Sequence, residues 1–161
     1  ASASNKTIIE EGGSDCKRGT PEAIIKKNAF SKMSFELNQD KKQGIETVNF
    51  EDGDKLIIKN WGCAYDALTF RFETSRFQSE PTDIGFWYKR TVSLLNEINK
   101  QINPPIDVVK GTDQLMNAIE EDVPNGYQNL AFEKELTFEE GAVRSFVRID
   151  KVEKLNYKIL F

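Results

Sequence analysis

The fold is decided by the stretch KLIIKNWGCAYDALTFRFETSRF, which covers residues 55–77. An Asn-Trp-Gly-Cys sequence interrupts it, and after this sequence the apolar residues Leu68, Phe70 and Phe72 alternate with polar ones. Alternation with a period of two is typical of a half-buried strand. The stretch therefore predicts two strands joined at a corner, with an apolar face that needs a covering layer.

Short strands are also predicted before and after this stretch. They cover residues 33–37, 45–50, 127–138, 142–150 and 155–161. Polar turns separate several of these strands, including an Asp-Gly pair at 52–53. Such turns between short alternating segments indicate antiparallel neighbours.

A long amphipathic helix is predicted to begin at Thr82 or Asp83 and to end near Ile102. At about 100° per residue, its apolar residues fall on one stripe. The stripe consists of Ile84, Trp87, Tyr88, Thr91, Leu94, Leu95, Ile98 and Ile102. A shorter helix is predicted within 106–126 with Thr112 as a capping residue, and Thr20-Pro21 predicts a helix of two turns at most that ends at Asn28.

The predicted order along the chain is four strands, two helices and three strands. This order lacks the strand–helix alternation of a parallel sheet, so it favours the α+β class. We expect an antiparallel sheet of about seven strands, with the long and the short helix packed on one face. Residues 20–161 form the expected single domain, and residues 1–19 form a polar segment tied to it by Cys16.

The sequence contains no histidine. This excludes Ser-His-Asp and Cys-His catalysis and the usual zinc sites. No phosphate-loop, dinucleotide or nucleophile-elbow motif is present, and residues 51–54 lack the spacing of an EF-hand. We therefore expect no enzyme activity, no cofactor and no metal site. A carboxylate-based hydrolase is the remaining catalytic alternative, with acids at 120–122, Glu133, Glu135, Glu139 and Glu140.

Charge and hydropathy limit the partners. The 161 residues carry a formal net charge of −4, with acidic and basic residues interspersed. No basic stripe of the kind that nucleic acid needs stands out. No apolar run approaches the roughly 18 residues that mark a transmembrane segment. The sequence therefore predicts neither nucleic-acid binding nor a membrane span.

Two cysteines, Cys16 and Cys63, are the basis for predicting the compartment. One pair in an otherwise thiol-free chain suits a structural disulfide in an oxidising compartment. The alternative is two buried free thiols in a cytosolic protein. The chain begins with Ala-Ser-Ala-Ser, as a mature exported protein does after signal removal, or as a cloning remnant does. We expect a secreted protein, most simply a bacterial periplasmic one.

Four aromatic residues are candidates for a binding surface. Trp61 and Tyr65 lie at the predicted strand corner, Phe86 falls opposite the helix stripe, and Phe146 lies between two arginines. Aromatic and arginine side chains on outward faces are favoured at protein interfaces. The competing interpretation is that a loop covers Phe86 and that Phe146 contacts a helix or a loop.

These patterns favour a non-enzymatic exported binding protein, in its concrete form an inhibitor or immunity protein for a protein partner. A carrier of small apolar molecules is the second hypothesis, because a sheet curved around the long helix encloses a Phe-lined cavity. The carboxylate-based hydrolase is the third. The sequence identifies neither the partner nor the oligomeric state.

Overall fold

The computed structural model describes residues 19–62, 66–74, 84–140, 143–153 and 156–160. Within these ranges the elements follow each other as four strands, two α-helices and three strands. The α+β class and the antiparallel sheet predicted from the sequence are confirmed. The strands are β1 (Met33–Leu37), β2 (Gly44–Asn49), β3 (Lys55–Trp61), β4 (Ala67–Thr74), β5 (Leu136–Glu140), β6 (Val143–Glu153) and β7 (Asn156–Leu160).

Strand pairing joins the N-terminal strands to the C-terminal strands. The neighbours in space are β1, β2, β3, β4, β7, β6 and β5, and each adjacent pair is antiparallel. Strands β1 to β4 follow each other as a meander, because short turns connect them. The C-terminal strand β7 then pairs with β4, so the last described segment of the chain lies inside the sheet.

Helix α1 (Ile84–Asn99) forms the main layer over the sheet. Its buried residues are Gly85, Trp87, Tyr88, Thr91, Leu94, Leu95 and Ile98, which reproduces most of the predicted stripe. They join one hydrophobic cluster with the buried strand residues Leu56, Ile58, Phe70 and Phe72. Among the described helices, none has the length and apolar character needed to cross a membrane.

Helix α2 (Val108–Asp122) lies within the predicted range but has a different N-terminal cap. Its cap is Asp107, whose Oδ1 accepts a hydrogen bond of 2.9 Å from the backbone N–H of Lys110. The predicted cap Thr112 is instead buried inside the helix, where its hydroxyl donates to the carbonyl of Val108. Asp107 caps the helix because its carboxylate interacts favourably with the positive N-terminal end of α2.

The predicted helix that ends at Asn28 is wrong. Residues 21–26, which we call the strap, form no helix, and Ile25 forms an isolated antiparallel bridge with Ile102. The backbone N–H groups of Ile24 and Ile25 each donate a 3.0 Å hydrogen bond to the carboxylate of Glu46. A tertiary acceptor on β2 thus replaces the local bonds that a helix needs.

The predicted strand at 127–138 is also shorter than expected, because β5 begins only at Leu136. A 3-10 turn at Val123–Asn125 follows α2, and Gly126 ends it in the left-handed conformation. The ring of Tyr127 then lies against Gly85 of α1, where an added Cβ would come within 2.5 Å of it. Tyr127, which alternation alone assigns to a strand, therefore packs against helix α1 instead.

Candidate functional site

Strands β3 and β4 have two different faces. On the face toward the helices, which we call the core face, Leu56, Ile58, Phe70 and Phe72 are buried. The alternate residues lie on the opposite side, which we call the outer face, because strand side chains alternate. The outer-face residues of these two strands are all half-buried: Lys55, Ile57, Lys59, Trp61, Ala67, Thr69, Arg71 and Glu73.

Trp61 is held on the outer face by two neighbours. Its indole Nε1 donates a 3.0 Å hydrogen bond to Oγ1 of Thr69 on β4. The ammonium of Lys59 lies 5.3 Å from the Trp61 ring centroid, within the range of a cation–π contact. Arg71 follows Thr69 on the same face, and its Nη2 lies 2.7 Å from Oε2 of Glu73. We call these five residues the outer-face patch.

The predicted surface residue Phe86 lies away from this patch. It is half-buried in α1 and packs against the hydrophobic core. Its ring meets that of Trp87 edge-on, with centroids 5.3 Å apart, and the guanidinium of Arg90 lies 5.3 Å from the Phe86 centroid. Because α1 covers the core face, Phe86 and Trp61 lie on opposite sides of the sheet and do not form one surface.

The other predicted site residues are not described at the level of side chains. Tyr65, Cys16 and Cys63 lie outside the described residues. The backbone of Phe146 lies in β6, paired with Thr137 of β5, and its side chain lies outside what the structure describes. The disulfide and the contributions of Tyr65 and Phe146 to a surface stay predictions.

Glu46 is a buried carboxylate on the core face of the sheet. Burial raises the pKa of the Glu46 carboxyl, while the hydrogen bonds from Ile24 and Ile25 lower it by stabilising the ionised form. The strap that these bonds hold is also joined to the end of the long helical segment, because Lys26 N–H donates to the carbonyl of Gln101. The role of Glu46 is therefore to tie the strap to β2.

Two further buried carboxylates also have internal partners. Asp54 accepts a 2.6 Å hydrogen bond through Oδ2 from the hydroxyl of Thr74. Asp122 accepts from the backbone N–H of Asn129 at 2.9 Å and from its side-chain Nδ2 at 2.7 Å. Asp54 thus connects the β2–β3 turn to the end of β4, and Asp122 connects the end of α2 to the loop that follows it.

The acids proposed for hydrolysis are mostly exposed where their side chains are described. Glu120 and Glu121 are exposed, as are Glu133 and Glu135, whereas Asp122 is buried. The side chains of 139–140 lie outside what the structure describes. Within the described ranges, no group of three or more metal-ligating side chains is placed to hold a metal ion.

Two open clefts lie beside the helices. The first has a volume of about 330 Å³ and lies between the end of α1 and the β2–β3 turn; it is lined by Phe30, Phe50, Phe72, Leu94, Glu97, Ile98, Lys100 and Gln101. The rings of Phe30 and Phe50 meet edge-on at 5.5 Å. The second, of about 340 Å³, lies between the end of α2 and β5 and includes Asp122, Asn129 and Phe138.

Sequence reasoning missed part of each feature. Lys59 and Arg71 share the face of Trp61, and alternation along β3 and β4 was the signal that could have placed them there. The edge-on pair of Phe30 and Phe50 had no such signal, because the two rings come from separate loops that tertiary packing brings together.

No protein-family model, curated protein or solved structure matches this chain.

Proposed function

We propose that this protein is a non-enzymatic exported binding protein, most simply a periplasmic inhibitor or immunity protein that binds a protein partner. In this proposal, a rigid sheet of about seven strands, backed on one face by both helices, presents its outer face to the partner. The conclusion is carried by the outer-face patch of Trp61 with Lys59, Thr69 and Arg71.

The chemistry of the patch supports recognition of a protein. Tryptophan and arginine are the residues most enriched among those that dominate binding energy at protein interfaces. The hydrogen bond from Trp61 to Thr69 fixes the ring orientation before a partner arrives. A preorganised anchor loses less conformational entropy on binding, so more of the contact energy appears as affinity.

The buried carboxylates favour this proposal over hydrolysis. Glu46, Asp54 and Asp122 each accept hydrogen bonds that hold one part of the fold to another. A glycosidase needs two carboxyls facing one substrate at a set separation. Acids that hold internal segments together are in the wrong place for that role, because moving them to a substrate would release those segments.

The patch is tested by affinity capture with the full chain immobilised and an envelope extract of the source organism. We expect a protein retained by the wild type to be lost with the double variant Trp61→Ala, Arg71→Ala. The matched control is Val109→Ala, Met116→Ala, since both residues are exposed on α2. If the wild type and both variants retain the same amount of the partner protein, the proposal is contradicted. Circular dichroism must show that each variant is folded.

The assignment to an exported protein is tested through the cysteines. Intact mass is measured after alkylation without reductant, and the proposal expects no modification of Cys16 or Cys63. In the chain-entropy model such a bridge stabilises the fold by ~4 kcal/mol, because it closes a loop of nearly fifty residues. Modification of both thiols refutes the bridge and removes the main support for an oxidising compartment.

The cleft of about 330 Å³ favours carriage of a small apolar molecule as a second candidate function. Its volume lies at the lower end of the range of ligand sites. Its walls combine aromatic and aliphatic side chains with Glu97, Lys100 and Gln101. The test is fluorescence titration with 1-anilinonaphthalene-8-sulfonate, with Gln101→Trp introduced to narrow the mouth. Binding that Gln101→Trp abolishes supports the carrier, and absence of a fluorescence change in the wild type counts against it.

A further inference from the structure

Strand β1 has one free edge. It pairs with β2 only, and within the described ranges no strand lies on its other side. Four of its five residues are exposed, and Phe35 is half-buried. Exposed strand edges carry unpaired backbone groups that template pairing with another strand.

The hydrogen-bond pattern shows which backbone groups face that edge. The carbonyl of Lys32 accepts from Asn49 N–H, and Asn38 N–H donates to the carbonyl of Gln43. In an antiparallel pair, bonded and non-bonded positions alternate. Ser34 and Glu36 therefore bond to β2 as Lys32 and Asn38 do. The N–H and C=O groups of the alternate residues, Met33, Phe35 and Leu37, face outward.

The same three residues carry the apolar side chains of the strand. Met33 is 36% exposed and Leu37 is 38% exposed, although their register places them on the core face beside Val48 and Gly44. The Phe35 ring lies over Gly44, where an added Cβ would come within 2.8 Å of it. The edge thus offers hydrogen-bonding groups and apolar surface at the same positions.

We propose that β1 pairs antiparallel with β1 of a second copy of this chain, around a two-fold axis at Phe35. In this register Phe35 faces Phe35, and Met33 faces Leu37 of the second copy. Each facing pair exchanges both N–H···O bonds, because all of these groups point outward. The two core faces then lie on the same side of one continuous sheet.

The strand is complementary to itself in charge as well as in hydrogen bonding. Glu36 faces Ser34 of the second copy, and Lys32 faces Asn38, so no like charges lie directly opposite each other. On its two diagonals, Glu36 has Lys32 and Glu36 of the second copy, so one attractive and one repulsive neighbour. A two-fold interface requires such self-complementarity, whereas an unrelated strand has to supply a matching pattern by chance. This pairing does not depend on the outer-face patch.

The interface is small, so the dimer is expected to be weak. Five residues on each side bury less than the roughly 1,200 Å² of a stable standard interface. We therefore expect dissociation at micromolar concentration and association toward ~1 mM, measured by sedimentation velocity on the full chain. Hydrogen exchange at both concentrations is expected to show new protection at the amides of Met33, Phe35 and Leu37, with Ser34 and Glu36 unchanged.

The decisive variant is Leu37→Pro, since proline removes an N–H that faces the free edge and leaves the bonds to β2 intact. We expect this variant to stay folded and monomeric near 1 mM, while Leu37→Ala, which keeps the N–H, dimerises more weakly than the wild type. A wild type that stays monomeric near 1 mM overturns the proposal. So does a dimer that persists in folded Leu37→Pro, or protection of these amides in a monomer.

Discussion

The two faces of β3 and β4 are built from the same strands and differ in almost every property. Residues of the core face, such as Ile58 and Phe70, are 0% and 1% exposed and join the helices in one cluster. Residues of the outer face, such as Trp61 and Arg71, are half-buried and bear indole, hydroxyl and charged groups. One set of alternate residues therefore supplies stability, and the other is the set that we propose for recognition.

This division predicts that stability and binding respond to different substitutions. The core face contributes hydrophobic burial, which a truncation removes together with the packing around it. The outer face contributes less to folding, because its side chains are only half-buried and lose less apolar burial when they are truncated. The following variants test the division, from the largest expected effect to the smallest.

Phe70→Ala on the core face is expected to have the largest effect. The side chain is 1% exposed and packs in the central cluster. Its loss should lower the free energy of unfolding by roughly 3–5 kcal/mol, because it combines lost burial with a cavity. Urea unfolding measures the change. The adjacent outer-face variant Thr69→Ala is the control, and equal losses in both variants would show that the two faces do not differ in this way.

Glu46→Ala tests the contribution of a buried polar residue on the core face. The substitution leaves the N–H groups of Ile24 and Ile25 without their acceptor. Each unsatisfied buried group costs about 1–3 kcal/mol, so the variant should be destabilised by at least the lower value. Urea unfolding gives the total, and hydrogen exchange should show faster exchange at 24 and 25 than in the wild type. Unchanged exchange there would contradict the role of Glu46.

The pH dependence of stability separates the charge of Glu46 from its acceptor role. Burial raises the folded-state pKa of Glu46 above the ordinary 4.5. The folded state then binds more protons than the unfolded state between these two values, so stability falls as pH rises through that window. Below pH 4.5 this loss of stability is absent, and at pH values above the raised pKa it is complete.

Glu46→Gln removes this titration but keeps one acceptor oxygen. The difference in unfolding free energy between wild type and variant should therefore shift in favour of the variant as pH rises from about 4 through the raised pKa. Urea unfolding across pH 4 to 8 measures the difference. A difference that stays constant over this range would show that the pKa of Glu46 is the same in the folded and unfolded states.

Trp61→Ala should have the smallest effect on stability among these changes. The variant loses one hydrogen bond to Thr69 and a half-buried ring, so a loss of about 1 kcal/mol is expected from the bond. Urea unfolding measures the loss, and Trp61→Phe keeps an aromatic ring as a control. A loss as large as that of Phe70→Ala would assign Trp61 to folding rather than to recognition.

The sequence predicted those elements whose own residues determine them. The stripe of α1, including Trp87 and Leu95, was recognisable because a helix repeats its buried positions within a few residues. The strand alternation at Phe70 and Phe72 was recognisable for the same reason. Local periodicity needs no knowledge of the partner elements.

Features that depend on distant residues were not predictable in this way. Thr20 and Pro21 resemble a helix start, but the observed course of the strap depends on Glu46 of β2 and on backbone bonds to residues 101–103. The separation of Trp61 from Phe86 likewise depends on which face of the sheet α1 covers. Sequence reasoning named both aromatic residues, but it could not tell that they lie on opposite sides.

Site-specific photo-crosslinking tests the outer face most directly. A benzoyl-phenylalanine is placed at position 57, which pairs with Arg71 on the outer face, or at position 116, which is exposed on α2, and the full chain is irradiated in cells of the source organism. The outer-face proposal predicts a discrete protein adduct from position 57 and none from position 116, and the position-57 adduct is lost when Arg71→Ala is added. A discrete adduct from position 116 with none from position 57 would contradict it.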